Sequence, residues 1–446
     1  MRRIAIVSEH ASPIATLGGV DNGGQNVYVA QVAKYLAALG HQVDVFTRRD
    51  SAELEAIFPW ENGVRVIHVP AGPAKYISKE EMLPYMRDFT SFMINFIRRE
   101  GAYDLIHANF WMSGLVALNV KRKLGIPYAI TFHALGRVRR QHQGKNDKFP
   151  DVRFQIEEQV AAEADRIIAE CPQDRHDLIT LYHAAPERVT VVPAGFDPQE
   201  LQPISKAAAR KHLGLDSNEH IILQLGRMVP RKGVDNVIRA LGHLVHNHGI
   251  PARLLIVGGE AEDPDPVKSP ELARLMKIAR EVSVTEYVTF TGQRQREILK
   301  YYYSAADVFV STPWYEPFGI TPLEAMACGT PVIGSNVGGI KHSVADGETG
   351  FLVPPKDAAA LAARLADLFN DPALLHRFSR QSIERVNRYF TWEKVARMLA
   401  GVYEETLSEA VEAARLRTVN SLQAQRFNAA FVNNAKDTAT RYRSAK

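Results

Sequence analysis

The chain has 446 residues, 46% apolar and 23% charged, which suits two or three globular domains and excludes a single small module, a disordered chain and a fibrous protein. The net charge of +4 is uneven: from Ala413 onward seven basic residues face only Asp437, so residues 1–412 are slightly acidic and the body is not a nucleic-acid binder by charge.

Only four apolar residues, Ile4 to Val7, follow Met1-Arg2-Arg3, too few for a secretory signal. The longest uncharged runs fall short of the roughly 20 residues that a spanning helix needs. Two cysteines, Cys171 and Cys328, sit far apart in apolar segments, which predicts reduced thiols in a cytoplasmic protein and no metal cluster.

Short β-branched runs alternate with helical patterns from the start: Ile4–Ser8, Val43–Thr47, Val64–Val69, Leu105–His107, Tyr128–Phe132, Arg166–Ala169 and Val189–Val192. Between the first two, Val27, Val29, Ala30, Val32, Ala33, Leu36 and Ala37 give a helix an apolar face that Gly40 closes. Ser78-Lys79-Glu80-Glu81 reads as a cap opening a helix toward Arg99. The Pro-rich stretch Pro193–Pro203 predicts a linker, after which strands restart at Ile221–Leu225, Arg253–Val257, Tyr287–Phe290, Asp307–Val310, Pro331–Ile333 and Gly350–Val353. Helices are predicted over Pro372–Arg388 and Trp392–Glu405.

The expected fold is therefore α/β, two doubly wound Rossmann-like parallel sheets whose strand ends face one interdomain cleft. The expected division is 1–195, 205–385, a helix at 386–405 crossing back to the first domain, and a basic extension at 406–446 suited to an acidic membrane surface or a neighbouring subunit.

Four segments carry chemistry. Glu316-Pro-Phe-Gly-Ile-Thr-Pro-Leu-Glu324 follows a strand, with Thr321 as N-cap, Pro322 as first helical residue and Glu324 in capping-box position. The helix N-terminus beside Gly319 would seat a phosphate, and Glu316 would accept from hydroxyls. Gly226-Arg-Met-Val-Pro-Arg-Lys-Gly233 places Arg227, Arg231 and Lys232 at another strand end, suited to a diphosphate; no Gly-Lys-Ser/Thr occurs, which disfavours a kinase or ATPase. Gly18-Gly-Val-Asp-Asn-Gly-Gly-Gln-Asn26 opens the first helix with paired glycines, but Thr47-Arg48-Arg49 stands where a dinucleotide fold expects an acid. His133 ends a further strand, and Arg137 to Arg153 form a long basic loop that suits an anionic acceptor. Asp263-Pro-Asp265 lies away from these strand ends and is assigned no metal.

In their order and spacing, these four segments resemble the retaining glycosyltransferases of family 4, which have the two-domain GT-B fold, over about residues 1–405. The resemblance implies a nucleotide-sugar donor, UDP-sugar favoured, with no cofactor and no metal required for binding. Arg227 and Lys232 would hold the donor diphosphate with help from the N–H groups of Gly23 and Gly24. Glu316 would bind the transferred hexose, Glu324 the ribose and His133 a sugar hydroxyl. Phe318, Gly319, Ile320 and Thr321 would line the phosphate seat, and the loop at Arg294 the base. Cations and N–H groups at the departing diphosphate would stabilise the transition state more than the ground state, and transfer would be front-face with retention.

Asn22 to Val29 is similar to mycothiol-pathway enzymes that glycosylate inositol phosphate and to sucrose-phosphate synthases; Gly72–Glu81 and His133–Arg137 lean toward the latter. A small phosphorylated sugar or polyol acceptor is expected, with Gln25, Asn26, Lys75, Lys79 and Arg153 as its contacts. Phe110 and Ala134 stand where the mycothiol enzymes carry a Tyr and a Thr, which disfavours inositol phosphate. A lipid-linked or polysaccharide acceptor, or a sugar-nucleotide epimerase of the same fold, is the alternative.

Overall fold

The structure, a computed structural model, describes residues 1–14, 23–259, 261–413 and 415–416. The glycine pair at 18–19 and the basic tail beyond 416 lie outside the described residues.

The first sheet contains β1 (Arg3–Val7), β2 (Gln42–Arg48), β3 (Ile57–Glu61), β4 (Val64–Val69), β5 (Leu105–Asn109), β6 (Tyr128–Thr131), β7 (Arg166–Ala169) and β8 (Val189–Val191). The second contains β9 (Ile221–Leu225), β10 (Arg253–Val257), β11 (Val288–Gly292), β12 (Val308–Ser311), β13 (Val332–Ser335) and β14 (Gly350–Val353). Their orders are β3-β4-β2-β1-β5-β6-β7-β8 and β11-β10-β9-β12-β13-β14. All pairings are parallel except that of β3 with β4. In both sheets the winding reverses beside the first strand, between β1 and β5 and between β9 and β12, and ligands in doubly wound sheets lie outside the carboxyl ends there.

Three local expectations are corrected. The edge strand β3 was not foreseen, because Pro59 interrupts the short apolar run Ile57-Phe58-Pro59-Trp60, which ends at Glu61. Ser78 caps no α-helix: short 3-10 turns at Lys79–Glu81 and Leu83–Tyr85 precede the helix Met86–Glu100. The basic stretch after His133 is not a long loop but a helix, Gly136–Gln143, a turn at Gly144–Asn146, and the start of the helix Val152–Glu163.

One apolar cluster runs from Ile6 and Tyr28 through Phe196 and Trp392 to Phe318 and Leu323, joining the two lobes. The chain ties them where Phe196 N donates to Phe390 O (2.9 Å) and Trp392 N to Phe196 O (3.0 Å). A helix over 392–413 then packs on the first lobe: Arg2 Nη2 reaches Glu404 Oε2 (2.6 Å), Arg166 Nη2 reaches Glu409 Oε1 (2.6 Å), and Tyr403 Oη lies 2.7 Å from His107 Nδ1. Burying Trp392 fully is what holds this helix start, a contribution of about 3–5 kcal/mol by the cost of truncating such a side chain.

Candidate active site

The loops after β1, β5, β6, β9 and β12 converge on one cleft. On the second lobe it widens into a cavity of about 1100 Å³ that Arg227, Lys232, Arg294, Glu316, Gly319, Ile320, Thr321 and Glu324 line. On the first lobe it continues into one of about 940 Å³ lined by Gln25, Asn26, Lys79, Phe110, His133, Arg153 and Phe318. Gly23, Gly24, Arg227, Arg231, Glu316, Gly319 and Ile320 belong to both walls. The residues that sequence placed at a diphosphate are thus brought together; Lys75 is not. It is exposed and lines neither cavity, because Arg48 Nη2 fixes its carbonyl and holds the loop away.

Glu316 is the centre of charge. Lys232 Nζ donates to Glu316 Oε2, Arg231 Nη1 lies 3.5 Å from the same oxygen, and Arg227 adds to the field. Burial pushes the Glu316 carboxyl up, but Lys232, Arg231 and Arg227 outweigh it and hold it below its ordinary range. The Lys232 ammonium is pulled below its ordinary value by burial, against the opposing pull of Glu316, with Arg231 and Arg227 adding to the depression. Three cations around one carboxylate leave a positive excess at the floor of the cleft, a charge that suits an anion. Backbone crowding fixes the loop: a Cβ on Gly338, which has φ +47°, would lie 1.7 Å from the Glu316 carbonyl oxygen.

The helix after Glu316 is Ile320–Ala327, and its N-cap is Gly319 at φ 91°, not Thr321; the left-handed turn needs a residue without Cβ. Glu324 is no capping-box glutamate. Its Oε1 accepts from Arg296 Nη1 (3.0 Å) and its Oε2 from the Tyr303 hydroxyl (2.7 Å), while Arg296 Nε also reaches Glu200 Oε2 (2.6 Å) on the linker. A carboxylate has further lone pairs for a hydroxyl on the cavity side. Arg294 is held by the carbonyls of Glu262 (2.9 Å) and Gln293 (2.8 Å).

Across the cleft, the helix Gly24–Ala38 begins at Gly23, whose N–H goes to Asn26 Oδ1 (2.9 Å); Asn26 Nδ2 binds the Ser12 carbonyl (2.9 Å). Asn26 therefore braces this turn, and the N–H of Gly23 expected at the diphosphate is already given. Gln25 Nε2 reaches Ser8 Oγ (3.2 Å) and the Asn109 carbonyl (3.3 Å).

Phe110 (φ 82°) and His133 (φ 58°), at adjacent strand ends, occupy the left-handed region that non-glycine residues avoid, a strain typical of functional sites. His133 Nε2 lies 3.0 Å from Asn109 Oδ1 and Nδ1 3.4 Å from Glu170 Oε2, and Tyr28 packs edge-on against its ring at 4.8 Å. Sequence reading missed Glu170, His10 and Tyr315 as cleft residues; the signal available was their place just past the ends of β7, β1 and β12.

Arg153 is buried, with Nε on Glu157 Oε1 (2.7 Å), Nη2 on the Ala134 carbonyl and its guanidinium over Phe149 (4.6 Å) and Phe110 (5.1 Å). Its Nη1 is buried without a hydrogen-bond partner, and Arg153 lines the first-lobe cavity together with Arg139 and Lys79.

Two doubly wound lobes meeting at such a cleft form the GT-B architecture, and the family that the chain matches within it is one of sugar-transferring enzymes. This chain belongs to glycosyltransferase family 4: residues 22–200 match the model for Glycosyltransferase Family 4 and residues 205–385 that for Glycosyl transferases group 1. It is 36% identical to a D-inositol 3-phosphate glycosyltransferase of Thermobispora bispora over 91% of this chain and 95% of that one. It is 35% identical to a second such protein of Catenulispora acidiphila over 92% and 96%. Among solved structures it resembles the sucrose-phosphate synthase of Thermosynechococcus elongatus, with a TM-score of 0.84 and 35% identity over 92% of this chain and 100% of that one. An Anabaena protein solved with UDP and glucose shares the fold at TM-score 0.71 and 21% identity, over 92% and 100%. Among the described residues no helix is long and apolar enough to cross a membrane.

Proposed function

We propose that the enzyme moves a hexosyl group from a UDP-sugar to a small phosphorylated sugar or polyol in the cytoplasm, with retention of anomeric configuration. The observation that carries this reading is that one cleft gathers two groups of cations: Arg227, Arg231 and Lys232 about Glu316, and Arg153, Arg139 and Lys79 along its first-lobe part. Two anions, one from each substrate, complete them. The names of the relatives support it, since both inositol-phosphate and sucrose-phosphate chemistry involve a phosphorylated acceptor.

In this reading the donor diphosphate lies on Arg227 and Lys232 and on the N–H groups of Gly24 and of the helix opening at Ile320. Glu316 takes hydroxyls of the hexose, Glu324 the ribose, and His133 a hydroxyl near the reacting carbon. As the bond from the anomeric carbon to the diphosphate breaks, negative charge builds on the phosphate beside fixed cations that need no reorganisation. The acceptor hydroxyl bonds to the same face and gives its proton to the departing phosphate oxygen. Arg227, Arg231 and Lys232 supply the positive charge, so the scheme calls on no metal and no resident cofactor.

A hexose phosphate is favoured over inositol phosphate. Phe110 and Ala134 offer no hydroxyl to a phosphate, and the Phe110 ring is packed between His10 (4.9 Å) and Phe149 (6.0 Å). The test is nucleoside diphosphate release from UDP-, GDP- and ADP-sugars, with and without fructose 6-phosphate or inositol phosphate, and NMR of the product's anomeric carbon. UDP release that depends on a phosphorylated acceptor, with a retained configuration, is expected. Release indifferent to every phosphorylated acceptor, or isomerisation of the donor alone, overturns the reading.

A further inference from the structure

Tyr315, next to Glu316 in sequence, is gripped by both lobes. Its ring lies flat on the His142 imidazole, with centroids 4.8 Å apart and planes 18° from parallel, and its hydroxyl accepts from Gln143 Nε2. From its own lobe the Arg231 guanidinium sits 5.3 Å from the ring centroid, and that same arginine faces Glu316 Oε2. His142 and Gln143 form the last turn of the helix Gly136–Gln143. The helix also carries Arg139, which lies 5.1 Å over the Phe149 ring that Arg153 shares at 4.6 Å.

A single buried side chain therefore links the cationic wall of the first-lobe cavity to the carboxylate of the second. Arg139 is paired with Asp147 Oδ1 (2.7 Å), so an anion drawn to Arg139 and Arg153 would compete for it and pull on that helix; the last turn of the helix holds Tyr315; Tyr315 supports Arg231 and is covalently continuous with Glu316. A packed, contiguous path of this kind can carry a free-energy change from one seat to the other.

We infer that Tyr315 is a positioning residue that couples the acceptor seat to the donor seat, so that the donor is spent on acceptor rather than on water only while the His142–Gln143 turn is closed on it. This rests on the assignment of the two seats made above.

The experiment compares wild type with His142→Ala/Gln143→Ala, Tyr315→Ala and Tyr315→Phe. It reads sugar transfer, acceptor-free hydrolysis of UDP-glucose, and UDP affinity with and without the acceptor that supports transfer. The wild type is expected to bind UDP more tightly with acceptor present, by a factor of about five or more. In His142→Ala/Gln143→Ala that factor falls toward one and transfer drops about tenfold, with hydrolysis little changed. Tyr315→Phe keeps the stacking and falls between. Combining Tyr315→Ala with the double variant adds nothing further, as expected for one shared contact. Transfer and hydrolysis falling in proportion, unchanged coupling in every variant, or additive effects overturn the inference. A wild type whose UDP release is indifferent to every phosphorylated acceptor overturns both this and the functional reading; a wild type that transfers but binds UDP equally with and without acceptor, or one beside variants that couple normally, overturns this one alone. Thermal midpoints identify any variant that misfolds, and Tyr315→Phe, which removes only a hydroxyl, then decides.

Discussion

Lys232 Nζ donates to Glu316 Oε2 across 84 residues of sequence, joining the loop after β9 to the loop after β12 at the point where the second sheet reverses its winding. The pair is not a device for stability. Breaking it by removing one partner leaves a buried charge unpaired; in the proposed reading, a diphosphate arriving at Arg227, Arg231 and Lys232 would take over the role of counter-ion and free Glu316 to accept from sugar hydroxyls. Glu316→Gln keeps the shape and removes the charge. We expect kcat to fall about 100- to 1000-fold, the scale of losing one preorganised group at a transition state, with donor KM changed far less. Equal loss in kcat/KM and in UDP binding would show that Glu316 serves ground-state affinity instead.

The same cluster sets a pH limit. Burial lowers the Lys232 ammonium from its ordinary value, so it loses its proton, and with it the hold on a diphosphate that the proposed reading gives it, at a lower pH than a free lysine. The alkaline limb of kcat/KM should lie below the ordinary lysine range. Lys232→Arg, whose guanidinium stays protonated, should move that limb upward while lowering the maximum, because the fork does not reproduce a point ammonium. A limb that stays in place assigns it to another group.

Arg153 is the residue on which the acceptor reading turns. Its Nε and Nη2 are committed to Glu157 and the Ala134 carbonyl, leaving Nη1 buried without a partner in a residue that lines the first-lobe cavity. Arg153→Lys keeps a cation but loses the fork. The acceptor KM should rise about 10- to 100-fold, as for one hydrogen bond to a charged group, with a smaller effect on UDP binding. Steady-state kinetics with each substrate varied in turn separates the two.

Both sheets were legible in the sequence because parallel strands are rich in β-branched and apolar residues, and thirteen of the fourteen strands among the described residues carry that signal. β3 escaped because it is an antiparallel edge with Pro59 inside it. The donor cluster was legible for a different reason: Arg227, Lys232, Glu316 and Glu324 follow strand ends, and a doubly wound sheet brings strand ends together wherever they fall in the chain. What did not show was how side chains are spent. Thr321 spells a cap, yet Gly319 takes the place because the turn runs through positive φ. Asn26 reads as a ligand, but its amide is used to brace Gly23. Lys75 has the right charge on a loop that Arg48 draws elsewhere. Tyr315 carries no motif; its meaning comes only from a helix 172 residues upstream.

The contact of the C-terminal helix with the first lobe predicts how stability depends on pH. His107 is fully buried, with Nε2 2.9 Å from Thr131 Oγ1 and Nδ1 2.7 Å from Tyr403 Oη, and burial first, then the nearby His133, pull its pKa down to about 3. The folded protein keeps this ring neutral while the unfolded chain protonates near pH 6.5, so the unfolded state binds more protons and stability is lost as pH falls from about 6.5 toward 3. At about 1.4 kcal/mol per pH unit, the loss from this residue is about 2–3 kcal/mol by pH 4.5. Asp174, whose carboxyl burial and Glu170 push up to about 8, acts in the opposite sense, favouring the fold as pH falls through 8, but it is present in both proteins of the comparison. His107→Gln retains an acceptor and a donor for the two hydroxyls and cannot titrate. Urea unfolding at pH 7.0 and 4.5 should show the variant less stable than wild type at neutral pH, with the gap closing by about 2–3 kcal/mol at the lower pH. A gap of the same size at both values would mean that His107 is not held neutral by the helix that covers it.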